Sequence, residues 1–175
     1  MNTKKMCINA MGSALFVVLT LCLQVPVFEN YYLCLGYIVM AFYTYFLGTA
    51  SGVLVGTIGV LLYCLLTNGL RGMPGWILGN VVIGIMCGIV TSYANNKKKS
   101  IKRMMIAVSV IMSTGIGVLG VKSLVEVFLY SLPFKERIVN NIYAFVADII
   151  VLIIGFEMCV SGERTWRKVI EDYYE

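Results

Sequence analysis

Residues 75–103, "GWILGNVVIGIMCGIVTSYANNKKKSIKR", decide the fold. Up to Ala94 the stretch carries no charged side chain, and it is as long as the roughly 20 residues that cross a bilayer's hydrocarbon. Lys97, Lys98, Lys99, Lys102 and Arg103 then follow within a few positions. An uncharged apolar run that ends in a dense basic connector reads as a transmembrane helix whose basic end stays in the cytoplasm. The rest of the chain agrees. It is 59% apolar and 13% charged, with a mean hydropathy of +0.86, outside the range of soluble domains. The alternating ten-residue pattern of an outer-membrane barrel is absent, so backbone hydrogen bonds inside lipid must close within helices. The expected fold is an all-α integral membrane protein, a single transmembrane domain over residues 1–175.

Apolar runs give six spans, at about 6–26, 33–47, 51–66, 75–94, 104–129 and 138–160. The second and third are short and separated only by "GTASG"; a single re-entrant hairpin over the same residues is the alternative. The opening "MNTKK" and its apolar run mimic a signal peptide, but the run ends in "LQVPVFENYY" without a small-x-small cleavage site. It stands as the first span. Of the 14 basic residues, ten fall on one side: Lys4 and Lys5, the connector at 97–103, and Arg164, Arg167 and Lys168. Arg71, Lys135 and Arg137 fall on the other, with Lys122 inside the fifth span. Both termini are therefore expected in the cytoplasm. The tail "SGERTWRKVIEDYYE", residues 161–175, reads as a short amphipathic interfacial helix.

Small residues recur four apart at Ala10/Ala14, Gly48/Gly52/Gly56 and Gly84/Gly88, the spacing that lets helices approach closely in lipid. The glycine stripes read as packing inside the bundle. Ala10 and Ala14, near the cytoplasmic end of the first helix, offer a smooth face to another subunit.

Polar residues inside spans are costly and concentrate at functional sites. Lys122 and Glu126 lie on one face in the outer half of the fifth span. Asn141 and Asp148 share a face of the sixth, and Trp76 and Asn80 share a face in the first turns of the fourth. The outer connectors add Glu29, Asn30, Tyr31 and Tyr32, then Asn68 and Arg71. Together these residues suggest an outward-facing pocket with aromatic walls and both signs of charge, suited to a flat heteroaromatic molecule. Snorkelling explains Lys122 and Glu126 equally well, and an aromatic belt explains Trp76 and the tyrosines.

Other chemistry is disfavoured. The six cysteines are dispersed with no CxxC pair and histidine is absent, which argues against a disulfide framework or a zinc site. No metal or cofactor is expected. GxxxxGK[ST], HExxH and GxSxG do not occur, so neither ATP hydrolysis by a phosphate loop nor those hydrolytic mechanisms are expected, and the chain is not expected to be an enzyme. The basic residues sit in connectors and tails rather than along one element, which speaks against nucleic acid. No internal repeat joins the two halves, as secondary transporters usually show.

With its length, its six spans, cytoplasmic termini and the start "INAMGSALF", the chain resembles the substrate-binding S components of energy-coupling factor (ECF) vitamin importers. Within that group "LCLGYIVMAFYTYFLGTASGVLVGTIGVLLYCLLTNGLRGMPGWILGN", residues 33–80, is similar to the riboflavin-type or hydroxymethylpyrimidine-type members. The resemblance implies a prokaryotic plasma-membrane protein that binds one vitamin or precursor from outside, with high affinity. It implies docking on a membrane scaffold subunit driven by two ATPases, with Ala10 and Ala14 at the scaffold contact and residues 29–32 as a lid. The outer ends of the last three helices would hold the ligand. The ligand itself stays open among riboflavin, pyridoxine-like, pyrimidine-precursor and deazapurine-like compounds. Two other functions fit the residues: a stand-alone transporter using Asp148 as a proton-coupled carboxylate, and a structural or sensory membrane protein. Uptake assays in vesicles separate the transport readings. Uptake that vanishes without the ATPase partners is the expected result, whereas uptake by the chain alone that depends on pH and on Asp148 marks the proton-coupled carrier.

Overall fold

The structure, a computed structural model, describes the backbone of residues 3–22, 25–28, 31–67, 69, 73–131 and 133–174, with side chains for these residues except 25–28, 31–32 and 170–174. Helix α1 is Thr3–Cys22, α2 Gly36–Leu47, α3 Thr49–Leu66, α4 Met73–Ala94, α5 Lys99–Thr114, α6 Ser123–Tyr130 and α7 Phe134–Tyr174. A π-helical segment, Gly115–Lys122, joins α5 to α6 without a break. To the expected helices the structure adds one short antiparallel ribbon, β1 (Val25–Phe28) with β2 (Tyr31–Leu33), in which Pro26 faces Tyr32 across the pair. Among the described residues the first helix reaches Cys22, and Pro26, expected at the end of the first span, lies in β1 instead.

Five helical columns are long and apolar enough to cross a membrane: α1, α3, α4, the continuous α5–π–α6 column and α7. The sixth apolar helix, α2, has 12 residues. It is separate from α3, not fused with it, and the break falls at Gly48, whose φ of 91° favours glycine. The two helices run antiparallel in close contact. A Cβ added at Gly52 would strike Thr44, and one at Gly56 would meet the sulfur of Met40. Gly84 faces Val53 and Gly88 faces Thr49 in the same way, so the glycine stripes do serve packing within the bundle.

Helix α2 is the centre of the structure. Tyr37, Val39, Met40, Ala41, Thr44 and Tyr45 on it are all buried, and it packs against α1, α3, α4 and α7. The core around it includes Phe16, Val55, Val60, Ile83, Leu152 and Phe156. The outside is as apolar as the inside: Met11, Leu65, Ile89, Val108, Phe128 and Met158 are among the exposed large side chains. Such a surface is tolerable where lipid rather than water surrounds it. Several buried hydroxyls are satisfied locally, whereas those of Ser51 and Thr114 have no hydrogen-bond partner among the described residues. Ser13, Thr20, Thr44 and Thr91 each donate to the carbonyl four residues back, at 2.6–3.0 Å.

Residues 161–174 continue α7 rather than forming a separate interfacial helix. No proline interrupts the run, and Arg167 reaches back one turn to Glu163 at 3.0 Å. Trp166 meets Phe42 of α2 edge-on, with ring centroids 5.3 Å apart.

The closest backbone approach concerns α4 and the π-helical segment. A Cβ on Gly117 would lie 2.8 Å from the Gly79 carbonyl oxygen, and one on Gly79 would lie 3.0 Å from that of Gly117. Neither backbone can move aside cheaply. Gly117→Ala should therefore lower stability by about 1–3 kcal/mol through overpacking. Gly120→Ala, with nothing within 4 Å of its added Cβ, should cost nothing. Thermal unfolding of both variants in detergent checks the contrast.

Candidate functional site

The intramembrane polar residues converge on a side chain that the sequence does not single out, Tyr37. Its ring is wholly buried at the start of α2. The Trp76 indole N–H of α4 donates to the Tyr37 hydroxyl at 2.8 Å. That hydroxyl donates to Asn80 Oδ1 at 2.8 Å, and Asn80 Nδ2 donates to the Gly56 carbonyl of α3 at 3.0 Å. Trp76 and Asn80 thus share a face of α4, as their spacing requires. The Asn80 amide is committed at both ends to the bundle.

Asp148 of α7, also buried, joins this group. It interacts with the Tyr37 hydroxyl and lies within the electrostatic influence of Lys122. Lys122 is brought there by the tight packing of α4, since a Cβ on Gly75 would sit 3.2 Å from Lys122 Cγ. A carboxylate in a low-dielectric interior needs such partners. Tyr63 completes the aromatic wall, meeting Trp76 edge-on with centroids 5.7 Å apart.

A second polar group lies about two helical turns from Asp148 along α7, at roughly 1.5 Å per residue. Asn141 Nδ2 donates to Ser123 Oγ at 2.9 Å and to Glu126 Oε2 at 3.3 Å. Arg137 pairs with the same carboxylate at 3.8 Å. Ser123 in turn donates to the Val118 carbonyl five residues back, at 3.3 Å, the wider register of the π-helical turn. Glu126 is thus buried and paired with α7 rather than solvated at the interface. Its partners are Asn141 and Arg137, while Lys122, one turn before it, lies within the electrostatic influence of Asp148.

The intramembrane polar residues thus fall into two groups. The first joins Trp76, Asn80 and Asp148 through Tyr37, with Lys122 within the electrostatic influence of Asp148, and the second joins Glu126 to Asn141, Ser123 and Arg137. Glu29, Asn30, Asn68 and Arg71 lie outside the described residues, as do the side chains of Tyr31 and Tyr32, whose backbones form β2. Tyr37 escapes a sequence reading because a tyrosine in an apolar run looks like any core aromatic. Arg137 escapes it because it sits at a connector. Ala10 and Ala14 are exposed on α1, while Asn9, Gly12 and Ser13 face the bundle. Among the described residues no three His, Cys, Asp or Glu side chains gather to hold a metal ion. What the first group offers is a fixed array of donors, an acceptor carboxylate and an ammonium beside an indole, within an apolar bundle.

Replacing Asn80 by leucine should remove both bonds and leave the Tyr37 hydroxyl and the Gly56 carbonyl without their partner. A loss of about 1–3 kcal/mol is expected, measured as a lower midpoint of thermal unfolding. Tyr37→Phe should lose less, since the ring stays.

The model of the ECF-type riboflavin transporter S component family matches residues 1–160. Comparison with curated proteins and with solved structures finds no match. The family match spans five of the six apolar helices entirely and the seventh element through the residues that carry Arg137, Asn141 and Asp148. With its lipid-suited exterior and its buried polar array, the chain belongs to the ECF-type riboflavin transporter S component family, the membrane substrate-binding subunits of ECF transporters.

Proposed function

We propose that this chain captures a small heteroaromatic vitamin from outside the cell, riboflavin before other ligands, and delivers it for ATP-driven uptake through a scaffold subunit and two ATPases. The observation that carries the reading is the Trp76–Tyr37–Asn80 chain with Asp148 and Lys122 beside it. A flat ring system with several edge heteroatoms is matched by an indole face next to fixed donors and acceptors. Riboflavin stands first because the matching family is described by that vitamin. In this reading Glu126 and Asn141 border the site, Glu29, Asn30, Tyr31 and Tyr32 cover it, and Asn68 and Arg71 stand at its mouth.

The topology that goes with this function has six crossings with both termini in the cytoplasm of a prokaryotic cell. Helix α2 reaches across with the help of β2. Twelve helical residues and the extended ones before them span about 30 Å. The site then lies toward the outer end, where α4 begins and α5–π–α6 ends. Ala10 and Ala14 present a small-residue face on α1 for the scaffold subunit, supported by their exposure.

Protein purified in detergent should carry a flavin absorbance band, or bind added riboflavin with quenching of its fluorescence. Trp76→Ala should weaken that binding about tenfold or more, in line with the loss of an aromatic contact. Unchanged affinity in this variant would place the ligand elsewhere. In the assembled transporter, Ala10→Trp should leave riboflavin affinity intact and abolish uptake, because a bulky ring on α1 obstructs docking.

A further inference from the structure

A cavity of about 660 Å³ opens at the opposite end of the bundle, between the α4–α5 connector and α7. Lys97, Lys99, Lys102, Arg164 and Arg167 line it, and Glu163 is the one carboxylate among the lining residues. Glu163 organises two of these cations. It accepts from Lys102 Nζ at 3.0 Å and from Arg167 at 3.0 Å. Lys102, which the sequence places among solvated connector charges, is in fact buried and also bonded to the Tyr45 hydroxyl at 2.9 Å. One lining carboxylate against five lining cations leaves a strong excess of positive charge around a space large enough for a polar headgroup.

The cavity does not end in water on all sides. Val160 belongs both to its wall and to a groove between α5 and α7 lined by Ile106, Ala107, Ile153 and Phe156. The ion pair of Arg103 with Glu157, at 3.0 Å, flanks that groove. The exposed side chains of α5 and α7 next to this end include Met104, Val108, Ile154 and Met158, so a cationic cavity adjoins an apolar outer surface. Basic pockets between membrane helices recognise anionic lipid headgroups in such a setting.

We propose that this surface binds an anionic phospholipid of the adjoining leaflet, its headgroup phosphate held among Lys97, Lys99 and Arg164 and its acyl chains against the apolar outer faces of α5 and α7. The lipid would tie the connector to α7 at the end of the bundle away from the Tyr37 group, and its binding does not depend on which vitamin the chain carries.

Native mass spectrometry of the full chain, released from nanodiscs of equal phosphatidylglycerol and phosphatidylcholine, tests this. The chain should retain phosphatidylglycerol preferentially. Removing two near-surface cations in Lys99→Ala/Arg164→Ala should reduce that preference about thirty-fold, with the thermal midpoint unchanged because both side chains are exposed. Retention unchanged in the double variant would overturn the proposal, as would an equal loss from Lys4→Ala/Lys5→Ala on α1, which lie on the same side of the bundle but outside the cavity lining. Displacement of the lipid by inorganic phosphate alone would also overturn it, marking the cavity as a site for a soluble anion.

Discussion

The Tyr37 hydroxyl ties α2 to α4 in the interior of the bundle. It accepts from Trp76 and donates to Asn80 on α4, and Asn80 carries the chain on to the Gly56 carbonyl of α3. Asp148 brings in α7. In water such bonds would compete with solvent and contribute little. Inside a membrane protein the alternative is an unsatisfied group in an apolar medium, so four helices are registered against one another by a few short contacts. The cost of leaving any member unpaired makes this group both a fold determinant and a natural place for a ligand to exchange bonds.

Glycine makes that convergence possible. The π-helical segment can bring Lys122 toward Asp148 only because Gly75 and Gly79 let α4 come within backbone contact of it. The same wide turn presents Ser123 to Asn141 and turns Glu126 toward Arg137. Close packing of small residues substitutes here for the hydrophobic driving force that lipid cannot supply between helices. The two ends of the bundle then differ in kind. One end gathers polar side chains from α2, α4, α6 and α7 inside the protein, and the other gathers cations around a cavity at its edge.

Much of this was legible in the chain and some was not, for reasons that differ by residue. Trp76 and Asn80 were placed on one face because a helix forces residues four apart together, and the structure puts both into one hydrogen-bonded chain. The same spacing left the partners of Lys122 and Glu126 open: Glu126 pairs with Asn141 and Arg137 of α7, and Lys122 lies against Gly75 of α4. Gly52 and Gly56 could be recognised as packing positions from their spacing, but their partners Thr44 and Met40 could not. Lys102 counted as a topology charge, yet it is buried against Tyr45 and Glu163, residues 57 and 61 positions away.

The sequence by itself determined that this is a helical membrane protein, where its apolar columns run and how its basic residues are distributed. Those properties follow from local composition, because the bilayer imposes one length and one way of satisfying the backbone. Only the tertiary structure decided that Tyr37 is the hub, that the polar residues divide into two groups, and that a basic cavity opens around Glu163 at one end of the bundle. Each of these depends on which helix faces which and on a change of helical register, and neither is encoded in the periodicity of any single span.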